Sequence, residues 1–198
     1  MHLIRYNLSI WNASNQKKIE RQKEIHIRIS LTMWTYLSFL LLHILSAMVW
    51  LGGMIFYVIV IMPVIRNQKV KEQKLTLLKL TALQFRKISY PLFVFFLISG
   101  FGILFTKGYL QAGQFISFFT TNLGLMFLSK LGLFLLLFLF SIYHDFVSGP
   151  KTFFFLENDL VQYERYRRVS AFFGRLNLLL SLCIAILGVF VSRGVSLF

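Results

Sequence analysis

Two ionisable side chains stand inside long apolar runs, His43 in SFLLLHILSAMVWLGG and Lys130 in LGLMFLSKLGLFLLLF. A titratable group at membrane depth is costly to hold there, so such a residue is a functional candidate by default. His43 lies about eight residues into its run and Lys130 about seven into its own, which at ~1.5 Å per residue puts them about 12 Å and 10 Å deep from the same face. A neutral imidazole among apolar and aromatic neighbours suits axial ligation of haem iron, and it is also a copper donor. The alternative role for His43 is a hydrogen bond to a neighbouring helix. Further along the same run, Trp50 and Met54 return to within about 20° of the His43 direction on a 3.6-residue helix. One helix face therefore carries imidazole, indole and thioether. Met54 is about 16 Å from His43 along the axis, so it serves as a metal donor only at a separate station. Lys130 has no Asp or Glu at its depth. It must snorkel, lose its charge, or hold an anion such as a porphyrin carboxylate, and its ammonium opposes a bare copper ion.

A second polar group lies toward the opposite face. Tyr143, His144 and Asp145 close the third apolar run, Gly149-Pro150-Lys151 follows, and Arg175 and Asn177 open the fourth. Asp145 is expected to neutralise Arg175 or Arg66 at the interface. His144 is a further candidate metal donor, about a membrane thickness from His43. Together the two histidines read either as stations of a transmembrane electron or ion path or as one core residue and one interfacial anchor.

The elements that must position these residues follow from composition. The chain has 198 residues, of which 57% are apolar and 14% charged, whereas a soluble domain carries about 45–50% and about 25%. Its mean hydropathy is +0.70. A spanning helix needs about 20 apolar residues, and four segments qualify: 35–65, 88–106, 123–146 and 171–192. The predicted fold is an all-α integral membrane four-helix bundle with both termini on one face. Proline at 91 is read as sitting in the first turn of the second span. Gly52, Gly53, Gly100, Gly102, Gly124, Gly132, Gly174 and Gly188 offer close helix–helix approach, and Pro63 marks the end of the first span. Residues 1–32 form a polar N-terminal segment, expected to be a mobile tail, a short surface helix or an over-extended start ahead of Met33; residues 33–198 form the membrane domain. Residues 69–84 are expected to form an interfacial helix on anionic headgroups.

The formal charge of +14 belongs to membrane topology rather than to nucleic acid. Seven Lys or Arg residues fall between the first two spans and five between Lys151 and Arg175, which predicts cytoplasmic linkers and termini outside. Cys183 is the single cysteine, so no internal disulfide or CxxC motif exists. No phosphate-binding glycine loop, HExxH, GxSxG or intramembrane carboxylate pair is present, which argues against an ATP-driven pump, a zinc protease or a serine hydrolase.

The segment LHILSAMVWLGGMIFYVIVIMPVIR, with His43, Trp50, Gly52, Gly53 and Pro63, resembles the first helix of the copper-resistance D (CopD) membrane domain. FRKISYPLFVFFLISGFGIL, with Arg86 and Gly100, resembles the second, and TTNLGLMFLSKLGLFLL, with Gly124 and Lys130, the third. HDFVSGPK and RLNLLLSL, beginning at His144 and Arg175, extend the likeness to about residues 35–192. The same superfamily includes HemJ-type protoporphyrinogen oxidases, whose helix-one histidine and helix-three lysine are associated with haem b and activity; by resemblance these roles fall on His43 and Lys130. The ending MPVIR lacks the proline-arginine and tyrosine-histidine ending associated with HemJ, and the interval from Lys130 to His144 is longer by nearly a turn. The resemblance thus implies a haem- or copper-associated protein of the bacterial inner membrane, engaged in copper handling or membrane redox chemistry. Its alternatives are a HemJ-like oxidase and a cofactor-free scaffold. Expected partners are the lipid bilayer, a membrane redox protein or a periplasmic copper carrier, and a second copy of the chain, with no nucleic acid.

Overall fold

The computed structural model describes the backbone of residues 2–70, 72–110, 113 and 115–193; Lys71 and residues 194–198 of the expected membrane domain lie outside the described residues. The described residues form helices and short connections with no strand. In chain order they are α1 (His2–Phe56), α2 (Met62–Arg66), α3 (Lys74–Thr106), α4 (Phe115–Phe119), α5 (Asn122–Tyr143), α6 (Gly149–Asn158) and α7 (Leu160–Ser192). Four continuous helical stretches are long and apolar enough to cross a membrane: Asn15–Arg66, Lys74–Thr106, Asn122–Leu156 and Leu160–Ser192. The fold is an all-α four-helix bundle, and much of its outer face is apolar, with Ile59 66% and Val189 57% exposed.

The helices are longer than the apolar runs that predict them. The polar N-terminal segment continues α1 backwards as one helix instead of forming a separate tail. Residues 74–84 continue α3, so the expected interfacial helix is the first three turns of the second span. Pro91 consequently lies inside α3 and not in its first turn. Lys, Glu, Leu and Ala are strong helix formers whether or not they are apolar, so hydropathy ends before helicity does.

Both long breaks in helical register have one cause. π-helical turns occupy Tyr57–Ile61 and His144–Ser148, and each is followed two residues later by a proline, Pro63 and Pro150. Proline lacks the N–H that would close the next helical bond and its ring crowds the preceding turn, so the helix widens just before it. In the second turn the Gly149 N–H reaches back five residues to the His144 carbonyl. The next bond in that register would join residue 150 to the Asp145 carbonyl, which Pro150 cannot do. Arg86 of α3 donates Nη1–H to that carbonyl at 3.1 Å instead.

Packing pairs α1 with α3 and α5 with α7, and α1 also meets α7. Apolar helices gain little from leaving lipid for one another, so close fit decides their contacts. Between α1 and α3 that fit is ring against glycine: a Cβ on Gly102 would lie 2.6 Å from the Phe39 ring, and one on Gly53 would lie 2.8 Å from Phe85. Gly52 faces open space and brings no helix closer. α3 meets α5 through large rings: Phe93 packs edge-on to Phe134 and Phe138, with centroids at 5.7 and 5.3 Å. Trp50, Phe93 and Leu137 form the buried apolar centre, with Met54 packed against them. In α4, Phe118 stacks on Tyr109 at 4.8 Å, and its carbonyl presses so closely on Gly124 that no Cβ fits there.

Candidate functional site

His43 and Lys130, distant in sequence, stand on α1 and α5, and the rings of Phe96 and Phe134 link those two helices through α3. Each is seated on a glycine of another helix. Gly100 of α3 lies under the His43 ring, where a Cβ would be 3.7 Å from Cε1. Gly188 of α7 lies under Lys130, where a Cβ would be 3.2 Å from Nζ. At Gly100 a Cβ would only touch the ring in ordinary contact, whereas at Gly188 it would crowd the Lys130 side-chain end.

The hydrogen bonds assign the histidine tautomer. Ser99 Oγ is 2.5 Å from the Phe95 carbonyl, to which it donates, and 2.8 Å from His43 Nδ1. A hydroxyl has one proton. With that proton on the carbonyl, Oγ accepts from Nδ1–H, and Nε2 keeps its lone pair. Ser99 is fully buried, and a buried serine in the middle of an apolar helix normally bonds back to its own backbone; here it also fixes a ring on the next helix. Phe96 meets the His43 ring edge-on at 5.4 Å, and Phe134, one turn beyond Lys130, packs on Phe96 at 5.9 Å. The site is thus a fixed imidazole with a free Nε2, an ammonium that makes no hydrogen bond or ion pair among the described residues, and aromatic walls.

Among the described residues no three His, Cys, Asp or Glu side chains converge on one point. Met54 and Trp50 share the inward face of α1 with His43, as their spacing predicts, but they pack in the apolar centre. Trp50 lies on Phe93 with ring centroids 5.3 Å apart.

The second cluster is assembled by the π turn at 144–148. His144 Nδ1 is 2.9 Å from Asp145 Oδ1, Tyr90 Oη donates to Asp145 Oδ2 at 3.4 Å, and Arg86 lies over the Phe146 ring at 4.9 Å. The Asp145 carboxylate therefore answers His144 and Tyr90, its backbone carbonyl accepts from Arg86, and neither meets Arg66 or Arg175, which are exposed. The widened turn rotates the carboxylate toward α3, a change of direction that regular helical geometry does not anticipate. Gly174, beside Arg175, lies under His144, where a Cβ would be 3.8 Å from Nε2. One face of α7 carries Gly174, Asn177, Ser181 and Gly188, so a single helix face borders both clusters, about 21 Å apart along its axis. Asn177 Nδ2–H donates to Ser141 Oγ at 3.2 Å, and its Oδ1 is buried without a partner among the described residues.

Ser99 and Tyr90 are functional neighbours that the sequence did not single out by role; the available signal was a hydroxyl in an otherwise apolar run.

Comparison with known proteins adds little chemistry. No family model matches the chain, and no solved structure matches it. The chain is similar to a protein of Aquifex aeolicus (strain VF5) described as "Uncharacterized protein", with 27% identity over 157 residues, which cover 79% of this chain and 94% of that protein.

Proposed function

We propose that this chain is a haem-binding protein of the bacterial inner membrane that takes part in membrane redox chemistry, with His43 Nε2 as the axial ligand and Lys130 holding a carboxylate of the macrocycle. The observation that carries this reading is the Ser99–His43 hydrogen bond, which commits Nδ1–H and leaves Nε2 as a neutral donor. Metal-ligating histidines are held in this manner through their other ring nitrogen. The donor set fits a haem better than a bare copper ion. Lys130, with no carboxylate partner among the described residues, would repel a cation and attract a propionate. Copper handling would need further soft donors, and Met54 belongs to the apolar centre.

Haem, when bound, supplies one-electron chemistry. The residues of the chain hold its ligand nitrogen, balance its carboxylate charge and keep water from the ring through Phe96 and Phe134. The cations flanking the linkers support cytoplasmic linkers and termini outside. Titration of the purified apoprotein with ferric haem tests the reading: the wild type should bind stoichiometrically, His43→Ala should not, and Lys130→Met should bind about ten-fold more weakly, as expected from loss of one charge-assisted bond. Complementation of a strain lacking protoporphyrinogen oxidase then separates the HemJ-like enzyme from a haem protein with another redox role.

A further inference from the structure

At one end of the α1–α3 pair a cavity of about 540 Å³ opens between Arg28, Thr32, Met33 and Tyr36 of α1 and Thr106 and Lys107 at the end of α3. We infer that this cavity holds the phosphate headgroup of an anionic phospholipid, clamped between Arg28 and Lys107.

Charge comes first. Arg28 and Lys107 contribute two cations and no lining residue is acidic. Glu24 lies one turn before Arg28, yet neither cation forms an ion pair with a carboxylate among the described residues. Lys107 instead lies over the ring of Tyr36, another lining residue, with Nζ 5.5 Å from its centroid. Two cations lining one space are stabilised by an anion there, and a guanidinium with an ammonium is a suitable pair for phosphate oxygens.

Depth identifies the source of that phosphate. The apolar run of α1 begins just after Met33 and that of α3 ends at Thr106, so the cavity lies beside the same end of both apolar runs. A second, smaller cavity lies at the other end of the same helix pair, between Arg66 and Lys74. From Lys74 to Thr106 is about 48 Å of helix, close to the ~40–45 Å of a bilayer with its headgroups once a modest tilt is allowed. Both cavities therefore stand at headgroup level, one per leaflet. The larger one alone has an apolar floor of Ile29, Met33 and the Tyr36 ring, onto which the start of an acyl chain can lie. Basic pockets between spanning helices bind phospholipid headgroups on these terms. The Thr32 and Thr106 hydroxyls donate to their own helices, so the anion contact falls on the two cations.

Delipidated full-length protein in a neutral detergent, titrated with phosphatidylglycerol or phosphatidylcholine and read by native mass spectrometry, tests the inference. Phosphatidylglycerol should be retained at one copy per chain and phosphatidylcholine at least ten-fold less. At about 1 kcal/mol per cation near a phosphate, Arg28→Gln and Lys107→Gln should each weaken retention about five-fold and the double variant about twenty-five-fold. Lys17→Gln/Lys18→Gln, which removes equal charge farther along α1, should leave it unchanged, with all variants melting at the wild-type temperature. Equal loss in the Lys17/Lys18 variant, unchanged retention in the Arg28/Lys107 variant, or displacement of the lipid by millimolar inorganic phosphate would each overturn it, the last by showing a site for free phosphate.

Discussion

Replacing Ser99 with Ala removes the hydroxyl that accepts from the His43 ring while leaving the apolar packing of α1 on α3 intact. Ser99 Oγ stands 2.8 Å from Nδ1 and 2.5 Å from the Phe95 carbonyl. Without it, Nδ1–H loses its hydroxyl partner in a half-buried position, at a cost of about 1–3 kcal/mol. A tautomer preference of that size corresponds to about 5- to 150-fold in population, so its loss frees the ring to protonate at Nε2, the nitrogen needed for ligation. Loss of such an outer hydrogen bond typically weakens metal affinity by about 10- to 100-fold. Two readouts check this. The ¹⁵N spectrum of the apoprotein should show Nδ1 protonated and Nε2 bare in the wild type, and a mixture of tautomers in Ser99→Ala. Haem titration should show the matching loss of affinity. An unchanged Nδ1–H tautomer together with unchanged haem affinity would refute the reasoning, because the ring would then be oriented by something other than Ser99.

Other perturbations address other parts of the structure. Gly102→Ala drives a Cβ to 2.6 Å from the Phe39 ring and should destabilise the α1–α3 pair by about 1–3 kcal/mol, read as a lower melting temperature in detergent; Gly52→Ala, which meets nothing, should be silent. Asp145→Leu strips His144 and Tyr90 of their shared acceptor and should lower stability by about 1–3 kcal/mol, with no change in haem affinity at His43. Pro150→Ala supplies the missing N–H to the Asp145 carbonyl and should displace Arg86, visible as faster modification of Arg86 by a dicarbonyl reagent. Asn177→Leu with Ser141→Ala removes both a hydrogen bond and an orphaned carbonyl oxygen, and the double variant should melt within about 1 kcal/mol of wild type, since replacing both partners by apolar groups is nearly neutral.

Much of the bundle was legible from hydropathy, because four apolar runs of spanning length leave few alternatives to four helices. The ends were not, since α1 and α3 extend through polar residues that favour helix without being apolar. Equal depth of His43 and Lys130 followed from counting residues, and the Phe96 and Phe134 rings link the helices that carry them. Their seats on Gly100 and Gly188 depend on which helices are neighbours, and spacing within one helix carries no such information. The same limit explains Asp145. Its partners sit on α3, and the π turn that aims it there is encoded by a proline five residues later, a signal readable only once the wide turn has been seen. Gly52 and Gly53 look equivalent in sequence, yet one faces open space and the other takes the Phe85 ring, because adjacent helical residues point about 100° apart.

The most direct test of the central assignment is a reduced-minus-oxidised absorption spectrum of the protein purified from haem-replete membranes, with iron and copper measured on the same sample. The account predicts a b-type spectrum with one iron per chain, lost in His43→Ala and retained in His144→Ala. Stoichiometric copper without haem, or a haem spectrum that survives His43→Ala, would contradict it.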